Sequence, residues 1–142
     1  MIRRAFIAVV IALTMAMPVC AAEQSVPFMS DPDASAMQAA IGVLRASYPR
    51  ENIRLSTVQA AFIRLVDGEA PQLVVELSGD NCGSAGCLIS LYERGTNGWV
   101  MINNWLASSI GIAPEHTGKW HNIVLDHNRT WIMQNGKYEL RR

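Results

Sequence analysis

Two cysteines five positions apart are the residues whose type and spacing most clearly point to chemistry. Cys82 and Cys87 enclose four small residues, two of them glycine. Thiols pair in an oxidising compartment, and glycine accepts the backbone angles that a small ring requires. We therefore predict a Cys82–Cys87 disulfide that closes a hairpin loop. The candidate contact residues on this loop are Asn81, Gly83, Ser84, Ala85 and Gly86.

The cysteine pair also has other interpretations. Redox pairs are usually separated by two residues at a helix start, whereas four residues between predicted strands separate this pair. A zinc site would recruit His116 and His121, whose spacing is permissible, but thiols in an oxidising compartment tend to pair with each other. The sequence therefore predicts no metal and no cofactor. The predicted disulfide either braces the hairpin or presents it to a partner.

The remaining polar residues form no pattern typical of catalysis. The sequence has three histidines, His116, His121 and His127. The last two should lie too far apart along one strand to share a site. A nucleophilic triad could be assembled from Ser108 or Ser109 with Asp126 and His127, but no G-x-S-x-G elbow surrounds either serine. Asp67 and Glu69 lie in a predicted turn with too few oxygen ligands for calcium. No catalytic residue is therefore predicted.

All four tryptophans lie in the last 44 residues of the chain. Aromatic side chains bind partners, and they also fill the cores of β-proteins. Trp99, Trp120 and Trp131 lie in predicted strands, so we assign them mainly to the core. Trp105 lies between predicted strands, and it is the candidate among the four for an exposed aromatic contact residue.

The first 22 residues have the composition of a secretory signal peptide. Arg3 and Arg4 precede an apolar run over residues 6–17, and small residues follow up to Ala22. The run is shorter than the roughly 20 residues that span a bilayer. We predict cleavage near residue 22, with lipid attachment at Cys20 or retention as an anchor as alternatives. The protein would then be periplasmic or secreted, with no stable membrane span.

Charge and composition exclude other classes of protein. The 142 residues include 12 basic and 12 acidic side chains, and 50% are hydrophobic. This balance argues against a nucleic-acid surface, and the apolar content argues against a disordered chain. Removal of residues 1–22 takes away Cys20 and leaves an even pair of cysteines. Residues 23–142 are the right length for a single domain.

The mature chain begins with a predicted helix. Asp31 and Pro32 suit a helix start, and Pro49 suits its end. Apolar residues recur at helical spacing between them: Met37, Ile41, Leu44 and Tyr48. We predict an amphipathic helix over residues 32–48 that packs on a sheet.

Short β-branched and aromatic segments follow from residue 53 onwards. They predict strands at residues 58–66, 73–77, 88–92, 99–102, 109–112, 120–125, 130–133 and 137–140, with a looser stretch over residues 103–119. The continuous apolar run at 73–77 predicts burial on both faces, and tight turns predict antiparallel neighbours. The expected fold is α+β: one N-terminal amphipathic helix on a mainly antiparallel meander sheet or small open barrel of seven to eight strands.

Several motifs resemble those of known protein groups. The apolar run at 73–77, the Cys82–Cys87 loop and the closing residues 135–138 resemble small exported bacterial β-rich proteins of unknown function with a CGSxGC hairpin loop. The chain also resembles periplasmic vertebrate-type lysozyme inhibitors, which combine a signal peptide, a helix, an antiparallel sheet and a protruding C-x4-C loop. That loop plugs the enzyme cleft and carries a histidine and an acidic residue, which residues 83–86 lack.

These observations predict a non-enzymatic exported protein that binds or inhibits a protein partner in the bacterial envelope. The disulfide-closed loop would supply its contacts, and no nucleic acid would be bound. The alternatives are a small hydrolase that acts on the envelope and an accessory component of an envelope assembly.

Overall fold

The computed structural model describes residues 22–49 and 51–142. The predicted signal peptide therefore lies outside the described residues, except for Ala22. The described part of the chain contains nine strands and one α-helix in the order β1 (Gln24–Ser25), α1 (Ser35–Ser47), β2 (Val58–Ile63), β3 (Gln72–Gly83), β4 (Gly86–Gly95), β5 (Gly98–Ala107), β6 (Ile110–Thr117), β7 (Trp120–Leu125), β8 (Arg129–Gln134) and β9 (Lys137–Leu140). A short 3-10 turn, Leu55–Thr57, precedes β2. The predicted α+β class is confirmed.

The strands form two antiparallel sheets. One sheet has the order β2-β3-β4-β5, and the other has the order β1-β6-β7-β8-β9. Ser108 and Ser109 connect β5 to β6 and carry the chain from the first sheet to the second. The prediction of one meander or open barrel with seven to eight strands is therefore wrong. A sheet with two apolar faces needs a cover on each, and the second sheet supplies the cover opposite the helix.

The four-stranded sheet is the middle layer of three. Leu73 and Val75 on β3 face α1 and contribute to one core, together with Met37. Val74 points to the opposite face and joins the second core, which includes Ile123 on the five-stranded sheet. The predicted burial of residues 73–77 on both faces is thus confirmed for residues 73–75, whereas Glu76 and Leu77 are only partly buried.

The helix begins later than the sequence predicts. Asp31 accepts a hydrogen bond from the Asp33 N–H at 3.0 Å, and this local turn occupies the expected first residues of the helix. The N-cap residue is Ala34, which has no side-chain cap. Strand β1 comes before the helix, so the prediction that the helix is the N-terminal element is wrong. Among the described residues, none of the helical structure has the length and apolar character required to cross a membrane.

Strands β5 and β6 are longer than predicted, and they occupy most of the stretch expected to be loose. The amide side chain of Asn103 explains why a polar residue fits in β5. Its Nδ2 donates to the Tyr138 carbonyl at 2.9 Å, and its Oδ1 accepts from the Tyr138 N–H at 2.6 Å. Asn103 therefore joins the edge strands of the two sheets, β5 and β9.

Candidate contact site at the β3–β4 hairpin

The two cysteines form the predicted disulfide. Cys82 and Cys87 lie opposite each other in β3 and β4, with a Cα–Cα distance of 3.9 Å. Gly83 pairs with Gly86 beyond them, and Ser84 and Ala85 make the turn. Because both sulfur atoms are bonded, neither cysteine is a thiolate ligand for zinc.

The end of this hairpin is exposed to solvent. Strand β3 begins in the buried core, and its last five residues are all exposed. We call residues 79–85 the hairpin tip; every residue in it is exposed. Four of the five predicted contact residues belong to the tip: Asn81, Gly83, Ser84 and Ala85. The fifth, Gly86, is buried, because its backbone lies directly against the backbone of Ala107 and Ser108.

A bulge of four residues sets the direction of the tip. Leu77 pairs with Leu88 and the next pair is Cys82–Cys87, so residues 78–81 have no partners on β4. Gly79 supplies a positive φ of 68° within the bulge. The Ser78 hydroxyl donates to the Thr57 carbonyl at 3.1 Å, and the Asn81 amide donates to the Ser78 carbonyl at 3.3 Å. These bonds and the disulfide fix the tip before any partner binds.

A groove lies at the base of the bulge. It has a volume of about 280 Å³ and runs between the hairpin and the segment that follows the helix. Leu77 and Leu88 contribute its apolar lining, and Tyr48, Arg54 and Asp80 contribute polar groups. The groove therefore offers both an apolar surface and charged groups beside the hairpin tip.

The structure does not place Trp105 on the surface. Its side chain is only 6% exposed, so the prediction of an exposed aromatic contact is wrong. Its ring makes edge contacts with Trp131 and Tyr138 at centroid distances of 5.7 and 6.3 Å. The physical reason is that β5 continues to Ala107, and the alternation of a strand turns Trp105 and Ala107 toward the core between the sheets.

The same alternation exposes the next residue. Leu106 is 51% exposed and pairs with Leu88, which pairs in turn with Leu77. Directly opposite residues in an antiparallel sheet share a face. These three side chains form a leucine row (Leu77, Leu88 and Leu106) that leads from the groove to an exposed apolar residue. Leu106 is not predicted as a contact residue, because the sequence pattern predicts a strand that ends at Ile102.

The histidines fall into two separate places. His116 and His121 are paired positions in β6 and β7, and their ring centroids are 3.8 Å apart. Asp67 joins them: its carboxylate oxygens lie 3.8 Å from Nε2 of His116 and 3.7 Å from Nε2 of His121. His127 lies beyond the other end of β7, 3.5 Å from a Glu23 carboxylate oxygen. The expected separation of His121 from His127 is thus confirmed.

The sequence pattern predicts a turn at Asp67 and does not connect this residue with the histidines. Two of the three residues had a sequence signal. A two-residue turn at 118–119 pairs Thr117 with Trp120, so His116 must pair with His121. The position of Asp67 depends on contacts between distant segments, which no local pattern reveals.

The hypothetical triad of Ser109, Asp126 and His127 is not assembled. Asp126 Oδ1 accepts hydrogen bonds from the backbone N–H groups of Ser108 and Ser109 at 2.7 and 3.2 Å. Its other carboxylate oxygen accepts from Arg129. Burial acts to raise the pKa of Asp126, but these hydrogen bonds and the charge of Arg129 outweigh it, so the pKa is lowered. This carboxylate holds the connection between the two sheets.

No protein-family model, curated protein or solved structure matches this chain.

Proposed function

We propose that this protein is exported and binds a protein partner in the bacterial envelope through the hairpin tip, without catalysing a reaction. The observation that carries the proposal is the exposure of every residue in the tip, on a hairpin closed by the Cys82–Cys87 disulfide. A disulfide is typical of proteins in oxidising compartments, which supports the periplasm or the exterior as the location.

The tip is suited to binding because its conformation is fixed in advance. Association costs free energy when loops and side chains become ordered, and a rigid loop reduces that cost. The disulfide, the Ser78–Thr57 hydrogen bond and the packing of Gly86 on Ala107 each restrict the hairpin. These constraints hold the tip in one conformation, as a preorganised contact surface requires.

The leucine row and the groove supply the apolar part of the proposed interface. Interfaces are typically apolar at the centre and polar at the rim. Leu106 is half exposed next to the hairpin, and the groove of about 280 Å³ adjoins Leu77 and Leu88. Asp80 and Arg54 stand at the groove as polar groups. A partner that inserts an apolar side chain beside the tip would fit this surface.

The resemblance to lysozyme inhibitors suggests one version of this function, insertion of the tip into an enzyme cleft. The loop between the cysteines has neither a histidine nor an acidic residue. Backbone groups of residues 83–86 and the carboxylate of Asp80, just before the loop, would have to make the polar contacts instead. Lysozyme turnover of peptidoglycan, measured with and without the purified protein, tests this version directly.

Site-specific crosslinking tests the binding surface itself. A photo-crosslinking amino acid at Ser84 should capture a discrete envelope protein in living cells. The matched control is the same amino acid at Thr96, an exposed residue in the β4–β5 turn. Capture of the same partner from both positions would contradict an interface centred on the hairpin tip.

Bulky substitutions provide an independent test of the same surface. The variants Ser84→Arg and Ala85→Trp should each weaken binding to the captured partner at least tenfold, because they fill the proposed contact area. Thr96→Arg and Asn97→Trp should leave the affinity unchanged. Equal affinities for all four variants would remove the hairpin tip from the proposal.

The alternative of an envelope hydrolase has one observation in its favour. A cleft of about 320 Å³ is lined in part by Arg64, Asp67 and His121. Nδ1 of His121 bonds to the backbone carbonyl of Ala113, and no serine or cysteine in the described ranges hydrogen-bonds to this ring. Hydrolysis at this position would therefore depend on an activated water molecule rather than on a side-chain nucleophile.

A further inference from the structure

Three separate segments bring Asp67, His116 and His121 together. We call these three residues the histidine–aspartate cluster. The two histidines are paired across the β6–β7 hairpin. Asp67 belongs to the β2–β3 connection, which is joined to β7 by an antiparallel β-bridge between Val66 and Trp120. The backbone N–H of His121 donates to the Leu65 carbonyl at 2.8 Å in this bridge. The fold thus fixes all three backbones independently of any ion.

The distances in this cluster are close to those of a metal site. One nitrogen from each histidine and one carboxylate oxygen all lie within 4.8 Å of one another. Ligand atoms about 2.1 Å from a tetrahedral ion are roughly 3.4 Å apart. The Asp67 oxygens are already 3.8 and 3.7 Å from the two Nε2 atoms. Because the Asp67 side chain is 79% exposed, it is free to make the small remaining adjustment.

The hydrogen bonding of His121 orients its free electron pair toward the cluster. Its Nδ1 lies 3.0 Å from the Ala113 carbonyl oxygen, which can only accept a hydrogen bond. In a neutral ring Nδ1 therefore carries the hydrogen, and the lone pair is on Nε2, the nitrogen that lies 3.7 Å from the Asp67 carboxylate. This nitrogen and the carboxylate oxygen are then both available as electron-pair donors to one metal ion.

The surroundings of His121 are those expected of a metal ligand. Metal-binding histidines usually donate their second ring nitrogen to a carbonyl or carboxylate, which fixes the ring and its tautomer. The Ala113 carbonyl fills this role here. A second hydrogen bond fixes the backbone of His121, because the Tyr138 hydroxyl donates to the His121 carbonyl at 2.7 Å.

We propose that the histidine–aspartate cluster binds a divalent transition-metal ion, with Zn²⁺ and Cu²⁺ as the best-suited ions. Two imidazoles and one carboxylate are a donor set for these ions, whereas Mg²⁺ and Ca²⁺ prefer sites made only of oxygen. Three protein ligands leave coordination positions free for water or a second ligand. The cleft of about 320 Å³ that includes Asp67 and His121 gives such a ligand access.

The metal site is independent of the proposed contact site. The hairpin tip consists of the end of β3 and the turn that leads to β4, whereas the cluster is built from β6, β7 and the β2–β3 connection. Failure of either proposal would leave the other unaffected.

Titration calorimetry on tag-free protein with Zn²⁺ and with Cu²⁺ tests the proposal. One ion should bind per chain, more tightly for Cu²⁺ than for Zn²⁺, as the general affinity order requires. His116→Ala and His121→Ala should each weaken Zn²⁺ binding at least tenfold. His127→Ala is the matched control, since that histidine lies outside the cluster, and it should bind Zn²⁺ like the wild type.

Two further measurements distinguish loss of the metal site from loss of the fold. Asp67→Asn changes an exposed side chain in a turn, so it should keep the fold and still weaken Zn²⁺ binding. The Cu²⁺ electron paramagnetic resonance spectrum should show coupling to two imidazole nitrogens in the wild type and to one in His116→Ala. No binding of either ion, or equal losses in His116→Ala and His127→Ala, would overturn the proposal and leave a plain histidine–carboxylate ion pair.

Discussion

At the scale of single residues, the two glycines of the disulfide ring have different roles. Gly86 has a φ of 100°, and a Cβ atom at this position would overlap the backbone of Ala107 and Ser108. Gly83 has no atom within 4 Å of its corresponding position, and its φ is not in the left-handed region. Gly86 therefore allows β4 to approach the end of β5 closely, whereas Gly83 faces open space.

A pair of alanine substitutions tests this difference. Gly86→Ala should lower the free energy of unfolding by about 3 kcal/mol, because positive-φ strain and backbone overlap act together. Gly83→Ala should change it by less than about 0.5 kcal/mol, as exposed substitutions usually do. Urea unfolding followed by tryptophan fluorescence measures both values. A large loss in Gly83→Ala, or none in Gly86→Ala, would contradict the packing described for the hairpin.

At the scale of elements, the connection between β5 and β6 joins the two sheets. Asp126 accepts hydrogen bonds from the N–H groups of Ser108 and Ser109, and its own N–H donates to the Ser109 carbonyl at 3.2 Å. Arg129 holds the other carboxylate oxygen. One charged side chain in the β7–β8 turn thereby fixes the point at which the chain changes sheet.

Stability should depend on pH through Asp126. The folded-state pKa of Asp126 is lowered, so the ionised carboxylate stabilises the protein above the unfolded-state value of about 3.9, and this contribution disappears as the pH falls through the folded-state pKa. Asp126→Asn should lower the free energy of unfolding at pH 7 by about 1 kcal/mol, since the site is partly open to solvent.

Unfolding by urea at pH 7 and at several values below pH 4 provides the measurement. The difference between wild type and Asp126→Asn should shrink as the pH falls. Glu139→Gln, which neutralises an exposed carboxylate on β9, is the control and should behave like wild type. A difference that stays constant down to the lowest pH would show that the charge of Asp126 is not the stabilising feature.

Local sequence patterns predicted the elements that depend on local contacts. The Asn135-Gly136 turn is an example: both residues adopt positive φ, at 51° and 79°, as a tight hairpin turn requires. Strand β1 was missed because its two residues are extended only through pairing with β6. The pattern does not predict the true end of β5, because Asn103 suits a strand only when its side chain can hydrogen-bond to the Tyr138 backbone.

At the scale of the whole molecule, local patterns likewise predict only the sites that depend on local contacts. The cysteine spacing predicted the disulfide, because five positions across a two-residue turn place the two side chains opposite each other. The sheet pairing that brings Asp67 to the histidines joins segments about 50 residues apart, as the Val66–Trp120 bridge shows. Hydrophobic alternation cannot reveal which of two sheets a strand will join, so the two-sheet arrangement also lay beyond prediction.

The two cores and the disulfide contribute to stability in separate places. Both cores lie on the faces of the four-stranded sheet, whereas Cys82 is exposed at the end of a hairpin. A disulfide stabilises mainly by restricting the unfolded chain, and a ring as short as this one contributes about 2 kcal/mol. The fold should therefore survive without the bond.

The double variant Cys82→Ser/Cys87→Ser tests this expectation. It should keep the far-ultraviolet circular dichroism spectrum and cooperative unfolding of the wild type, and its Tm should fall by about 8 °C, the shift that about 2 kcal/mol produces in a domain of this size. Dithiothreitol should lower the Tm of the wild type by a similar amount and leave the variant unchanged. Loss of cooperative unfolding in the variant would mean that the hairpin is needed to assemble the sheets. An intact fold that no longer binds the captured partner would show instead that the bond serves the contact surface.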